Sequence, residues 1–140
     1  MKHYFTDGSA SPNPGPGGFA VIDLDLKQPV ALGKEANSTN IRMEAMALIA
    51  AYKMAEPGDQ IDTDSEFWVN VVKEWAPTWS ANGWKKKTGP IKNLELVQEL
   101  YGLFVSKPDV ILKWTRGHVG TEGNELADEW ANKAREGAEI

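Results

Sequence analysis

Apolar and polar residues alternate over the first third of the chain in a way that predicts strands. A short apolar run covers residues 4–7, residues 19–26 alternate, and residues 30–35 form a third run behind a turn at 27–29. We therefore expect an antiparallel meander of three strands, with Asp7 at the end of the first. The intervening stretch SPNPGPGG predicts a stiff turn. It has no Gly-Lys-Ser/Thr ending and leads into a strand, which excludes a phosphate-binding P-loop.

The pattern then changes to alternating helices and strands. The stretch NSTNIRMEAMALIAAYKMAEPG predicts a helix that Ser38, Thr39 or Asn40 can cap, and residues 60–64 predict a short strand. SEFWVNVVKEW predicts a second helix, which we expect Pro77 to limit, and residues 93–105 a third. DVILKW predicts a last strand, and GTEGNELADEWANKAREG a closing helix that stops at Gly137. Three strands followed by this alternation predict a mixed α/β sheet.

The composition of the chain excludes several classes of protein. The chain has 140 residues, 41% of them hydrophobic, and is expected to form one domain over residues 1–140. The absence of cysteine excludes disulfides and thiolate chemistry, and no apolar run has the length of a membrane span or signal peptide, which favours a cytoplasmic location. A net charge of −5 argues against holding nucleic acid by overall field. However, residues 73–92 hold five lysines, three tryptophans and one acid, a composition that fits a docking surface or a solvated loop.

Four acids occupy positions where acids are unusual. Asp7 and Asp64 end predicted strands, Glu44 opens a helix that is apolar nearly all round, and Asp128 lies within an apolar stripe. Taken singly, each is better explained as a turn, cap or surface residue. Taken together they suggest a cluster at the strand ends. Since converging carboxylates repel one another, such a cluster favours a hard divalent cation, Mg²⁺ or Mn²⁺.

The order of motifs resembles a known family. FTDGS with NPGPGG, TNIRMEA, TDSEF, a run of three tryptophans ending in NGWK, and GHVGTEGNELAD resemble type 1 ribonuclease H, in its bacterial form with a basic protrusion. The resemblance extends over residues 4–134. It implies a ribonuclease H-like five-stranded mixed sheet, three strands antiparallel and then two parallel, with helices on both faces. It also implies an endoribonuclease that hydrolyses the RNA strand of RNA–DNA hybrids and leaves 5′-phosphate and 3′-hydroxyl ends.

The same resemblance implies roles for individual residues. Asp7, Glu44, Asp64 and Asp128 match the metal-binding carboxylates. They would hold two Mg²⁺ ions roughly 3.5–4 Å apart, with Asp7 shared between them and Mn²⁺ able to substitute. His118 matches a loop histidine that would move protons or assist product release, although a solvated loop histidine is the alternative. Glu125 matches an accessory acid near the site, or is simply a surface acid.

Substrate contacts also follow from the resemblance. Asn13, Thr39 and Asn40 would hold a phosphate of the DNA strand, and Trp75 and Trp79 would lie along its sugars. The basic protrusion would contribute Trp84, Lys85, Lys86 and Lys87. Core packing is the alternative for the tryptophans. The implied partner is an RNA–DNA hybrid duplex, with no membrane and no obligatory protein partner, bound by a monomer.

The chain departs from the family pattern at the substrate surface. Ile41 stands where a second asparagine is usual, and Glu66 where glutamine is usual. SANG lies between the second and third tryptophans where basic residues are common, and Ser11–Pro12 makes the first turn more rigid. We expect a competent enzyme with a relatively high KM and a strong sensitivity to salt.

Four alternative interpretations of the same residues assign the chain to other classes of protein. A hybrid-binding domain without catalysis is disfavoured because all four acids and His118 are present. The nuclease domain of a reverse transcriptase is disfavoured by the lysine-bearing protrusion, and a resolvase or integrase by the GPGG and GHVG loops. A Ca²⁺-binding structural domain is disfavoured because EF-hand spacing is missing. The expectation is therefore a free-standing cellular enzyme.

Overall fold

The computed structural model describes residues 1–116 and 122–140. The strands are β1 (His3–Ala10), β2 (Gly15–Asp23), β3 (Gln28–Ser38), β4 (Gln60–Thr63) and β5 (Ile111–Trp114). The helices are α1 (Asn40–Met54), α2 (Glu66–Asn70), α3 (Ala76–Ala81), α4 (Leu94–Ser106) and α5 (Glu122–Arg135), with a π-helical segment (Val71–Trp75) between α2 and α3. Among these described helices, none combines the length and apolarity that crossing a bilayer requires.

The five strands form one sheet in the order β3-β2-β1-β4-β5. The pairs β1–β2 and β2–β3 are antiparallel, while β1–β4 and β4–β5 are parallel. The mixed sheet expected from the sequence is confirmed. Because β1, β4 and β5 run in the same direction, their carboxyl ends lie at one edge, where open α/β sheets place ligands.

Helices cover both faces of the sheet. Helix α1 packs on one face, where the main core contains Leu48, Tyr52, Ile61 and Trp68. Helix α5 packs over β1, β2 and β3 on the other face, where Phe5 and Ile22 meet Ala127 and Ala131. The stop expected at Gly137 is confirmed: its φ is +110° and its N–H donates to the Ala134 carbonyl.

Two expectations about the first pair of strands were wrong. Asp7 does not end its strand, because β1 continues to Ala10 and pairs Asp7 with Ala20 of β2. The glycines after the prolines belong to β2, which begins at Gly15, so the turn is shorter than the sequence suggested. Glycine-rich backbone can form a strand when a neighbouring element packs closely on it, and here a Cβ at Gly18 would collide with the backbone of α5.

Pro77 does not limit the second helical region. The π-helical segment lets the Ala76 N–H donate to the Val71 carbonyl, five residues back, and a new helix α3 starts there. Pro77 therefore lies in the first turn of α3, where a missing N–H does no harm. The helical region extends to Ala81 and carries Trp79 with it.

Candidate active site

The register of β1 against β4 places Asp7 and Asp64 at the same level of the sheet. Thr6 pairs with Thr63 in the parallel ladder, and β4 ends at Thr63 while β1 continues. Asp7 and Asp64 are the residues that directly follow this Thr6–Thr63 pair. Asp7 lies between Phe5, which packs against Ala127 of α5, and Ser9, which bonds to Asn132 of α5. Alternation along the strand therefore turns Asp7 toward α5.

Glu44 joins this edge because α1 lies directly on β1. Gly8 makes the approach possible, since a Cβ at this position would collide with the backbone of Met43 and Glu44. The helix starts at Asn40, and Thr39 caps it by accepting the Arg42 N–H at 3.1 Å on Oγ1. Glu44 thus lies in the second turn, facing the strand that carries Asp7.

Three of the four acids form a compact group. Asp7, Glu44 and Asp64 each offer a carboxylate oxygen within 4.8 Å of the others. Within residues 1–116 and 122–140, Asp128 is not part of this group, and its side chain is exposed on α5. Its negative charge nevertheless contributes to the field at Asp7.

The electrostatics of the group follow from burial and like charge. Burial, followed by the negative charges of Asp64, Asp128 and Glu44, raises the pKa of Asp7 to about 8, although the Gly8 N–H opposes this by donating to Asp7 Oδ1 at 2.8 Å. Burial also raises the pKa of Glu44 to about 7, with a further contribution from Asp64. Without a counter-charge, Asp7 and Glu44 therefore hold protons near neutral pH.

This donor set fits a hard divalent cation. The ligands are carboxylate oxygens, which Mg²⁺ and Mn²⁺ prefer, and they converge from three different elements. A cation between them would relieve the repulsion that raises the pKa values of Asp7 and Glu44. The residues present therefore fit a metal site.

Ser65 is a site residue to which the sequence analysis gave no role. It is buried, and its side chain forms a hydrogen bond with Glu44 that lowers the pKa of that carboxyl group. Its Oγ also accepts the Trp68 N–H at 3.3 Å and caps α2. The signal in the sequence was a serine three positions before a buried tryptophan, which indicates a cap but not a contact with Glu44.

The three residues expected at a DNA phosphate lie together at the N-terminus of α1. Asn13 Oδ1 accepts the Asn40 backbone N–H at 3.1 Å, and Asn40 Oδ1 accepts the Ala10 N–H at 2.6 Å. Thr39, the N-cap residue of α1, directly precedes Asn40. Both amide oxygens thus accept backbone donors, and each amide also carries an NH₂ group that can donate to an anionic ligand.

An aromatic groove of about 640 Å³ begins at Ile41, next to these residues. Phe67, Trp75 and Trp79 line it, with ring centroids 5.7 Å apart for the first pair and 6.2 Å for the second. Trp75 is exposed, whereas Trp79 is half-buried against the main core. Lys86 and Lys92 add positive charge to its wall.

The remaining expected residues are more scattered. Trp84 packs edge-on against Tyr101, with ring centroids 5.9 Å apart, while Lys85, Lys86 and Lys87 are exposed on the loop that follows α3. Glu125 is exposed in the first turn of α5. His118 lies outside the described residues, so its position relative to the acids stays a prediction.

Comparisons with known proteins agree with this geometry. The RNase H family model matches residues 2–136. A ribonuclease H of Ruegeria pomeroyi is 44% identical, with 91% of this chain and 87% of the relative covered. A ribonuclease H of Methylorubrum extorquens is 42% identical over 94% of this chain, which spans 58% of that relative's length.

A solved structure is similar to this fold along nearly the whole chain. It is LC9-RNase H1, described as a type 1 RNase H with the type 2 active-site motif, and it superposes with a TM-score of 0.80. Sequence identity is 28%, with 97% of this chain and 72% of that chain covered. With the family model matched over nearly its full length, this chain belongs to the RNase H family.

Proposed function

We propose that this protein is an endoribonuclease that hydrolyses the RNA strand of RNA–DNA hybrids. The observation that carries the proposal is the convergence of Asp7, Glu44 and Asp64 at the carboxyl edge of the parallel strands. Membership of the RNase H family and the similarity to proteins named ribonuclease H support the same activity.

The proposed cofactor is a pair of Mg²⁺ ions, with Mn²⁺ able to substitute. Asp7 would hold both, Glu44 and Asp64 one, and Asp128 the other. Bound there, divalent ions supply an attacking water of lowered pKa and neutralise charge on the departing oxygen. The chain's own part is to hold the carboxylates in place: Gly8 fixes Asp7 through its N–H, and Ser65 fixes Glu44 through its hydroxyl. His118 is proposed to move protons or assist product release, and Glu125 is a proposed accessory residue.

Substrate selection is proposed to depend on the DNA strand. Asn13, Thr39 and Asn40 would hold one of its phosphates beside the cap of α1. The sugars would then lie against Trp75 and Trp79 in the adjoining groove, with Trp84 and the lysines Lys85, Lys86 and Lys87 supporting the duplex from the protrusion. An RNA strand in the same place would carry 2′-hydroxyls against an apolar wall, which disfavours duplex RNA.

Residues 1–140 would form a single ribonuclease H domain that works as a monomer in the cytoplasm, without a membrane or an obligatory protein partner. A light-scattering mass that doubles over the concentrations used for catalysis would contradict the monomer.

The decisive experiment is cleavage of four labelled substrates: RNA–DNA hybrid, single-stranded RNA, duplex RNA and duplex DNA. Each is incubated with Mg²⁺, Mn²⁺ or EDTA, and Asp64→Asn is the control variant. We expect cuts within the RNA strand of the hybrid alone, only with metal, and with 5′-phosphate ends. Cleavage of all four substrates, or activity that survives EDTA, would overturn the proposal. Binding without cleavage by the natural sequence would identify a hybrid-binding domain instead.

Ile41 and Glu66 are expected to weaken substrate binding. Ile41 lines the aromatic groove and is 40% exposed, and the exposed Glu66 brings negative charge to the first turn of α2, next to Phe67 of the groove. Restoring polar contacts with Ile41→Asn and Glu66→Gln should lower KM several-fold and leave kcat unchanged, because neither side chain belongs to the acidic group. An unaltered KM in the double variant would count against this assignment of the groove.

A further inference from the structure

A second carboxylate lies buried two residues before Asp64. Asp62 is 4% exposed in the middle of β4, on the side of the sheet that also carries Phe5, its partner in the β1 register. A buried carboxylate is costly unless donors surround it. No sequence motif marks this residue, and it is not one of the three converging acids Asp7, Glu44 and Asp64.

The donors around Asp62 come from β1, from β4 and from the residue that follows β5. On Oδ1, Gln60 Nε2 donates at 2.7 Å and His3 Nε2 lies at 2.9 Å. On Oδ2, the Thr115 hydroxyl donates at 2.7 Å. Both oxygens are therefore engaged, and Asp62 links β1, β4 and the residue that follows β5.

The hydrogen bond with Thr115 lies beside the point at which the pairing of β4 with β5 ends, one residue before Asp64. The β4–β5 ladder ends at the pair Thr63–Trp114, and the last backbone bond runs from the Thr115 N–H to the Thr63 carbonyl at 2.8 Å. Asp64 lies beyond it. The Trp114 indole N–H donates to the Asp64 carbonyl at 3.2 Å, so side chains continue the strand pairing where the ladder has ended.

We propose that Asp62 and Thr115 are positioning residues for Asp64, an inference that rests on the proposed function. Asp62 holds the Thr115 hydroxyl, and this contact fixes the end of β5 against β4. Trp114 is thereby kept where its indole reaches the Asp64 carbonyl. The orientation of the Asp64 carboxylate toward Asp7 and Glu44 then depends on two hydrogen bonds that lie outside the acidic group.

Thr115 offers the sharper test because two variants separate the hydroxyl from the shape. Thr115→Val removes the donor and keeps the branched side chain, whereas Thr115→Ser keeps the donor. Residues that orient metal ligands typically affect metal affinity or activity by roughly 10- to 100-fold. We expect Thr115→Val to lower kcat on hybrid by about tenfold with little change in KM, and Thr115→Ser to retain kcat within about twofold.

Asp62→Asn should lower kcat in the same way, because an amide cannot accept from three donors. Asp23→Asn is its matched control. Asp23 is also a buried carboxylate of this sheet, but it accepts the Asp25 and Leu26 N–H groups at the turn after β2. This control is expected to lose stability and keep kcat.

A second readout does not depend on catalysis. Titration calorimetry with Mn²⁺ alone should show weaker binding by Thr115→Val than by Thr115→Ser. Equal kcat and equal Mn²⁺ affinity in the two threonine variants would overturn the inference and leave the proposed function intact. If the natural sequence cleaves no hybrid, the proposed function fails, and the Mn²⁺ affinities of the two variants alone decide whether Thr115 positions the site.

Discussion

The two ends of strand β4 carry carboxylates in opposite electrostatic situations. Asp59 precedes the strand, and its two oxygens accept the Lys2 N–H at 2.8 Å and the Glu56 N–H at 2.9 Å. Burial by itself would raise the pKa of Asp59, but these donors and the N-terminal charge outweigh it and lower the pKa. Asp64 follows the strand and faces Asp7 and Glu44, whose pKa values are raised.

The difference shows what separates a structural acid from a functional one in this fold. At the first end, backbone donors stabilise the charged form, so the charge contributes to folding. At the second end, acids face one another, and the arrangement costs stability until a cation binds. Position at a strand end does not decide the role; the donors around the carboxylate do.

The largest expected effect is at the acidic end. Glu44→Gln should lower kcat on RNA–DNA hybrid by about 100-fold or more, because the amide removes a negative ligand from the metal group. Steady-state kinetics at saturating Mg²⁺ measures it. Glu56→Gln, at the opposite end of β4, is the matched control, since the Glu56 side chain is exposed and only its backbone contacts Asp59. Equal losses in both variants would remove the distinction between the two ends.

The next effect concerns stability in the absence of metal. Because the folded-state pKa of Asp7 lies above the unfolded value of 3.8, at about 8, folding favours the protonated form. The penalty is absent below pH 4 and grows until the pH passes 8. In EDTA, Asp7→Asn should therefore raise the free energy of unfolding at pH 8.5 by on the order of 3 kcal/mol, with no gain at pH 4.

Denaturant unfolding at both pH values measures this difference. Adding Mg²⁺ at pH 8.5 should shrink the advantage of Asp7→Asn, because the cation stabilises only the protein with the intact carboxylate. A gain of the same size at pH 4 would mean that repulsion at the acidic group is not its cause.

At the first end of β4, replacing the carboxylate is expected to lower the free energy of unfolding instead of raising it. Asp59→Asn should lower the free energy of unfolding at pH 7 by about 2 kcal/mol, since two backbone donors lose a charged acceptor. The folded-state pKa of Asp59 is lowered, so its contribution is complete above the unfolded value of 3.8 and is lost as the pH falls further. Thermal unfolding at pH 7 and pH 2.5 checks this, and a stabilised variant at pH 7 would contradict it. Cleavage activity should be retained.

The smallest effect tests whether a missing partner alone marks a functional group. The buried Tyr52 hydroxyl has no hydrogen-bond partner among the described residues, and burial raises the pKa of this phenol. It lies in the main core and not at the acidic group. Tyr52→Phe should leave kcat unchanged and change stability by about 0.5 kcal/mol in the favourable direction. A large loss of activity would show that the comparison between the ends of β4 is incomplete.

Much of the fold could be predicted from local patterns. Alternation indicated the strands, a nearly all-apolar run indicated α1, and the stop at Gly137 followed from glycine's tolerance of a positive φ. The errors at Asp7 and Pro77 have different physical causes. Close packing of α5 extends β2 through glycines, and the π-helical segment lets the chain continue past a proline.

The sequence by itself determined which acids are candidates, since their motifs and their places in apolar segments are local properties. Only the tertiary structure decided that three of them meet, because this depends on the register of β1 against β4 and on the absence of a side chain at Gly8. The contacts of Ser65 with Glu44 and of Asp62 with Thr115 were equally invisible in the sequence. A hydrogen bond between residues 53 positions apart has no periodicity to reveal it, and it exists only once the sheet has brought both strands together.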